Sequence, residues 1–481
     1  MNSLSKRIQF ILAFSIFYVM IILPQVSCKK FITVTALSTS TNAANVYSDD
    51  ATAISVMNGI YGKMSSPLMS TGGIPSISLF AGLSADELTL FSGAVGPMTF
   101  YYSNSLTNSN TETTDYWMNF YPYIFYANSL LEGVNNSNSL TPVVKQQLIG
   151  EAEFIRAFCL FYLTNLYGDV PLPLGTDFET TSKLSRASKS NVYNKIISDL
   201  RDTETKLSDH FLDATLLGET DVRVRPCKWA ATALLSRAYL YTEKWDSAIA
   251  EASKLIDNPS LFSLDTVNGV FLKGSQEAIW QLQPVGFSIK NTQDAFLFII
   301  PITGMSNLQP VHISQELINQ FEKDDLRRSN WIDSIDILGS IYYYPYKYKN
   351  NMLNSSVTEY ETVFRLGEQY LIRAEARAQL GNTAGAVADL NVIRFRAGLT
   401  AYGGLTTQAS LLSAILHERQ VELFTEWGHR WLDLKRTGNV NAIMTSVTPM
   451  KGGVWSPNYQ LYPVPFSELR VNPSLTQNDG Y

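Results

Sequence analysis

The densest chemistry in the 481-residue chain lies at residues 417–438, HERQVELFTEWGHRWLDLKRTG. Eight Asp, Glu, Lys or Arg residues and two of the four histidines fall in these 22 positions, although the whole chain is only 17% charged. Glu418, Glu422 and Glu426 stand four apart. Two of them could form the acid–base pair of glycoside hydrolysis, one protonating the leaving oxygen while the other attacks or activates water. That chemistry needs carboxylates facing each other across a cleft of about 5–10 Å. Glutamates four apart on one helix are neighbours instead, and mildly repel. Val421, Phe424, Trp427, Trp431 and Leu434 would make one apolar stripe, with a bend at Gly428 and a stop at Gly438. Glu426 with Arg430, and His429 with Asp433, stand at pairing distance. The expectation is a half-buried helix whose charges pair with each other and with neighbouring backbone.

Other catalytic and metal-binding patterns are missing. There is no H-E-x-x-H helix, no G-x-S-x-G elbow and no phosphate-cradling glycine loop. His210, His312 and His417 are isolated. Asp324, Asp325, Arg327 and Arg328 in FEKDDLRRS read as a solvated helix end. Beyond Cys28 only Cys159 and Cys227 remain, too few for a disulfide framework or a zinc site. Cys159 in FIRAFCLFYL reads as a buried thiol. No cofactor or metal is expected. A net charge of −6 gives no basic footprint for nucleic acid.

The elements that would hold a site are mostly helical. MNSLSKR, the apolar run IQFILAFSIFYVMIIL and PQVSC make residues 1–27 a secretory signal, too short for a membrane span. Cys28 directly after it reads as a lipidation site, where two acyl chains would anchor the chain stably. Gln25 stands where the lipoprotein motif prefers Leu. The stretch after Cys28, TVTALSTSTNAANVYSDD, reads as a tether, and residues 65–112 as loops. Helical spacing marks DATAISVMNGIYGKM, DYWMNFYPYIFYANSLLEGV, KSNVYNKIISDLRDTETKL and LTPVVKQQLIGEAEFIRAFCLFYLTNLYG. The last has Thr141 as N-cap, Pro142 in the first turn and Gly168 at its end.

ALLSRAYLYTEKWDSAIAEASKLIDNP follows the large/small pattern of a tetratricopeptide repeat, through Leu235, Ala238, Tyr239, Trp245, Ala248, Ala252 and Leu255. A looser copy, YLIRAEARAQLGNTAGAVADLNVIRFRAGL, turns at Gly381 and uses Ala386 and Leu390. Ala248 and Ala386 are far apart in sequence, so the pairs are expected to be separated by an insertion. That insertion, roughly 260–360, contains EAIWQLQPVGF, AFLFIIPITG and SIYYYPYKYK, which are β-favouring and aromatic.

Five segments in order resemble the SusD/RagB family, outer-membrane lipoproteins of Bacteroidota that work in nutrient uptake. They are CKKFITV…YSDDATAISVMNGIY, EAEFIRAFCLFYLTNLYGDVPL, YLIRAEARAQLGN…LNVIRFRAGL, ERQVELFTEWGHRWLDLKRTG and YPVPFSELRVNPSLTQNDGY. The resemblance implies a mainly α fold: tetratricopeptide-like helix pairs as a scaffold, and an irregular, loop-rich ligand-facing half with a few short strands. It divides the chain into a signal peptide (1–27), an N-terminal region (28–260) and a C-terminal region (261–481), the last two forming one compact unit. It also implies no catalysis, an outer-membrane location facing outward, a SusC-like TonB-dependent transporter as partner and an oligosaccharide as ligand. CKKF lacks the acidic residues that often follow the lipidated cysteine of surface-exported members, which leaves a periplasmic orientation open.

Sites in the family use aromatic rings stacked on sugar faces, with amide or charged groups reading the hydroxyls. The corresponding candidates are Phe100, Tyr101, Tyr102 and Asn104 in TFYYSNS, with Trp280, Phe287 and Phe296 from the insertion. Competing readings are a peptide-capturing member of the family, a carboxylate-based glycosidase and a periplasmic adaptor that binds only protein.

Overall fold

Helix-forming spacing carries most of the chain. The computed structural model describes residues 46–65, 77–110 and 116–481. Cys28, the signal segment and most of the expected tether lie outside the described residues. The described part opens with α1 (Asp50–Met64), capped by the Asp49 carboxylate on the Thr52 amide. Loops were expected over 65–112, yet the described residues there form α2 (Ile77–Ser84), β1 (Leu88–Leu90) and α3 (Pro97–Tyr102). Every residue of α2 is buried. Its eight residues, ISLFAGLS, are too few to show helical periodicity.

The scaffold follows with α4 (Tyr116–Asn136), α5 (Pro142–Tyr167), the short α6 (Phe178–Thr181), α7 (Lys189–Lys206), α8 (Lys228–Tyr241) and α9 (Trp245–Ile256). α5 packs between α4 and α7, α7 against α8, and α8 against α9. Gly150–Tyr167 of α5 is buried on every side, as an all-round apolar helix must be. Thr141 occupies the N-cap of α5 as expected, but its side chain makes no capping bond; its amide donates to Asp50 Oδ1 at 2.9 Å. Gly168 closes the helix with a φ of 78°, open to glycine at little cost. Cys159 and Cys227 are free, buried thiols.

The insertion contains β2 (Ala278–Leu282), α10 (Gln293–Phe298), β3 (Val311–Ile313), α11 (Gln315–Ile318), α12 (Leu326–Asn330), β4 (Ile332–Ile337), β5 (Ser340–Pro345) and β6 (Glu361–Arg365). AFLFIIPITG, read as β-favouring, is helical in its first half. The Thr292 hydroxyl caps that turn by accepting from the Ala295 amide. Among the described residues, three two-stranded antiparallel sheets result: β1 with β3, β2 with β6, and β4 with β5. Pairing Leu88, Thr89 and Leu90 with Ile313, His312 and Val311 joins the early segment to the insertion.

The chain returns to helices at α13 (Leu366–Gln379), α14 (Thr383–Arg396), α15 (Gln408–Leu423), α16 (His429–Arg436), α17 (Val440–Met450) and α18 (Phe466–Val471). α9 packs directly on α13. The two repeat-like pairs are therefore spatial neighbours, and the insertion separates them only in sequence. Residues Tyr47–Tyr481 make one compact unit. Its helical majority and few short strands are the mainly α architecture implied by the helix spacing.

Candidate ligand-binding cleft

The charged stretch at 417–438 is not one bent helix. α15 stops at Leu423, and Phe424–Gly428 turns the chain through φ values of 52° at Thr425, 48° at Trp427 and 72° at Gly428. A Cβ on Gly428 would sit 2.8 Å from the Ala81 Cβ, so α2 presses too closely for any other residue. All five stripe residues are buried. They point into different parts of the core, however. Phe424 joins the insertion's cluster with Trp331 and Tyr344, Trp427 meets Phe158 with ring centroids 5.7 Å apart, and Trp431 stacks on Tyr462 at 6.5 Å.

Six of the eight charges are buried rather than half-exposed, and most of their partners are remote in sequence, while Asp433 pairs within the stretch. Arg365 Nη1 contacts Glu277 and Glu422 at 2.9 and 2.5 Å, while its Nε reaches Glu426 at 2.7 Å. Arg327 bridges Asp325, Glu418 and Glu422 at 2.8, 2.6 and 3.0 Å. Arg327 is thus core, not the solvated helix end expected of FEKDDLRRS. The expected Glu426–Arg430 and His429–Asp433 pairs give way to other partners. Arg430 binds Asp86 through 2.8 and 2.6 Å hydrogen bonds, Glu426 takes Lys347 and Arg365, and Asp433 bridges Arg419 and Arg436.

This arrangement cannot supply a general acid from Glu422 or Glu426. Burial alone would raise the Glu422 carboxyl, but the charges of Arg396, Arg365 and Arg327 hold it well below its ordinary range. Burial likewise opposes ionisation of Glu426, and Arg365 and Lys347 overcome it. Both carboxylates stay ionised, saturated and shielded from solvent. Their work is to lock α15 and α16 to the insertion.

A different place is open to a ligand. Where β1 pairs with β3, a cleft of about 300 Å³ opens, walled by Thr89, Tyr102, His312, Gln315, Glu316, Ile341, Tyr343, Met450 and Lys451, with Asp86 at its edge. β5 turns Ile341 and Tyr343 to the same side because alternate residues of a strand share a face. Tyr344, on the other face, is buried and donates to Asp333 at 3.2 Å. Tyr102 and Tyr343 are half-buried, leaving ring surface accessible. His312 Nδ1 lies 3.0 Å from the Ile313 carbonyl, which favours the proton on Nδ1 and leaves Nε2 as an acceptor. Burial lowers the imidazole pKa, with the carbonyl contact only partly opposing it, so the ring is neutral at neutral pH. The Lys451 ammonium donates to the Leu83 and Ala85 carbonyls and lies 5.2 Å from the Tyr102 ring centroid. Burial brings its pKa down to about 7. Rings beside neutral acceptors and a carboxylate suit a ligand with apolar faces and a rim of hydroxyls.

Of the ligand-binding candidates named from the sequence, only Tyr102 lines this cleft. Tyr101 is buried to 1% exposure in ring contact with Phe80 and Tyr462, and Asn104 is fixed to the Ser84 carbonyl and the Thr448 hydroxyl. Trp280 has no exposed surface; its Nε1 donates to the Val224 carbonyl at 3.1 Å and Phe154 and Phe158 meet its ring edge to face. These three have no surface left for a ligand. Phe100 is half-buried on α3, about 200° round the helix from Tyr102 at ~100° per residue. Phe287 is 93% exposed in the loop after β2, and Phe296 is half-buried on α10. Neither belongs to the cleft wall. Tyr343, His312, Glu316 and Lys451 carried one sequence signal among them, the β-favouring, aromatic run SIYYYP.

Comparison with known proteins matches two separate parts of the chain. Residues 334–481 match the model of the SusD family, and residues 95–240 match a model described as starch-binding, associating with outer membrane. A SusD-like protein, P25, of Formosa agariphila is 25% identical over 88% of this chain and 88% of its own. The fold is shared with a SusD superfamily protein from Bacteroides vulgatus, at a TM-score of 0.77, 20% identity and coverage of 90% of this chain and 100% of that one. A laminarin-binding SusD-like protein superposes with a TM-score of 0.74 at 23% identity, over 90% of this chain and 100% of its own. The family is one of starch- and glycan-binding proteins associated with the outer membrane. Two family models on separate parts of the chain, a nearly full-length relative and the shared helical fold agree: the chain belongs to the SusD/RagB family.

Proposed function

We propose that this protein is a non-catalytic receptor that holds an oligosaccharide in the β1–β3 cleft and passes it to a SusC-like TonB-dependent transporter. The observation that supports it most directly is the pair of accessible rings, Tyr102 and Tyr343, flanked by Thr89, His312, Gln315 and Glu316. A pyranose presents axial C–H groups to a ring and equatorial hydroxyls to polar neighbours, and this wall offers both. Asp86, a second carboxylate of the cleft, is an unsuitable partner for acid–base work. Burial pushes its carboxyl up, but hydrogen bonds and charge from Arg430 bring it below the ordinary value, so it holds no proton to donate.

Anchoring at the outer membrane through diacylated Cys28 would hold the receptor beside its transporter. Retention there raises the effective concentration of captured ligand, so a weak cleft suffices. Calorimetric titration of the full chain in detergent micelles against neutral and acidic oligosaccharides tests the capture role. Binding in the micromolar-to-millimolar range, weakened by Tyr343→Ala and without release of reducing ends, is the expected result. Absence of binding to every glycan, or steady hydrolysis, would sink it.

A further inference from the structure

The charges around the cleft are unequal in availability. Asp86 is bound by Arg430 on both carboxylate oxygens. Arg328 lies over the Tyr343 ring, 4.5 Å from its centroid, and is not among the residues lining the cleft. Lys451 spends its ammonium on two main-chain carbonyls behind the Tyr102 ring. His312 uses Nδ1 on the Ile313 carbonyl. Glu316 is different. It is partly exposed on α11 in the cleft wall, and no ion pair within 4.0 Å or side-chain hydrogen bond holds its carboxylate among the described residues. The fold has therefore left one carboxyl group of the wall without an ion pair or hydrogen bond among the described residues.

We infer that the cleft selects uncharged oligosaccharides over acidic ones, with Glu316 as the residue that decides; this rests on the capture role proposed above. A carboxylate accepts hydrogen bonds from two vicinal hydroxyls at once, and charge-assisted bonds of this kind exceed neutral ones in strength. A uronate or sulfate brought to the same wall would meet Glu316, while Lys451, the cation in the lining, is held by main-chain carbonyls. The repulsion is strong because the low-dielectric walls of a cleft screen charge poorly. Burial also drives Lys451, the cation in the cleft lining, toward its neutral form.

The test titrates the full chain in detergent micelles with a neutral β-glucan oligosaccharide and with oligogalacturonate and a sulfated oligosaccharide of equal length. Wild-type protein should bind the neutral ligand at least about tenfold more tightly at low salt, and the gap should narrow at high salt as screening grows. Glu316→Gln should lose about tenfold for the neutral ligand and reject acidic ligands less. Glu316→Lys should prefer the acidic ones. If the wild type binds acidic and neutral ligands equally, or Glu316→Gln leaves both affinities unchanged, the selectivity inference falls while capture stands. If no ligand of either kind binds, or Tyr343→Ala changes nothing, capture at this cleft falls and the selectivity with it. Thermal denaturation of each variant separates lost folding from lost contact.

Discussion

Arg365 and Glu422 meet 2.5 Å apart with almost no access to solvent, and they join β6 to the end of α15. Arg396 binds the same carboxylate oxygen from α14, and Arg327 binds the other from α12. A charged cluster of this kind contributes little net stability when intact, because desolvation offsets attraction, but removing one member strands the rest. Glu422→Ala should therefore cost about 3–5 kcal/mol of unfolding free energy in a denaturant titration. Glycan affinity of the remaining folded fraction should be unchanged. A catalytic Glu422 would give the opposite pattern, lost turnover with stability intact.

Tyr343 and Trp280 separate the cleft from the core. Tyr343→Ala removes a half-buried ring, and should weaken glycan binding by about 1 kcal/mol, roughly fivefold in Kd, with little change in Tm. Trp280→Ala empties a site packed by Phe154, Phe158 and Phe364. It should cost about 3–5 kcal/mol of stability and leave the affinity of folded protein as it was. Calorimetry paired with denaturant titration reads both effects.

The contrast shows what the sequence could convey. The helices were legible because α5, α8, α9, α13 and α14 carry apolar periodicity, small residues at repeat spacing and recognisable ends. Tyr101, Tyr102 and Trp280 are chemically alike in a string of letters, and only tertiary packing decides which ring faces water. The partners of 417–438 were hidden for a related reason. Arg327, Arg365 and Asp86 lie between 57 and 344 positions away from the carboxylates and arginine they bind, and pairing rules along a helix reach only one turn. The cleft itself depends on the β1–β3 pairing, between strands of three residues each, too short to announce themselves.

Glu87 gives a pH signature. It is buried beside Asp86, and one carboxyl oxygen lacks any hydrogen-bond partner. Burial, reinforced by the Asp86 charge, raises its pKa from 4.5 to about 8. A raised folded value means the fold holds a proton that the unfolded chain releases. Its contribution to stability is then full below pH 4.5 and lost as pH climbs through 8. Glu87→Gln keeps a neutral, similarly shaped group at every pH. The stability difference between parent and variant should move in the variant's favour from pH 5 to pH 8, read as urea midpoints. Asp86, Glu422, Glu426 and Asp433 act in the other direction. Their folded values are depressed, so their stabilisation is present above the unfolded values near 4 and is lost on acidification.

Acyl-chain arithmetic makes the proposed lipidation of Cys28 testable. Each buried methylene adds about 0.8 kcal/mol, and one chain of myristoyl length binds membranes only marginally, whereas two hold stably. Cys28→Ser should abolish incorporation of radiolabelled fatty acid and move the protein from the membrane pellet to the soluble fraction. The cleft lies within Tyr47–Tyr481, so its glycan affinity should survive the substitution unchanged. Uptake of the glycan by intact cells should nevertheless fall, because a receptor released from the membrane no longer keeps its ligand at high local concentration beside a transporter. Unaltered uptake by the soluble variant would show that tethering has no part in delivery.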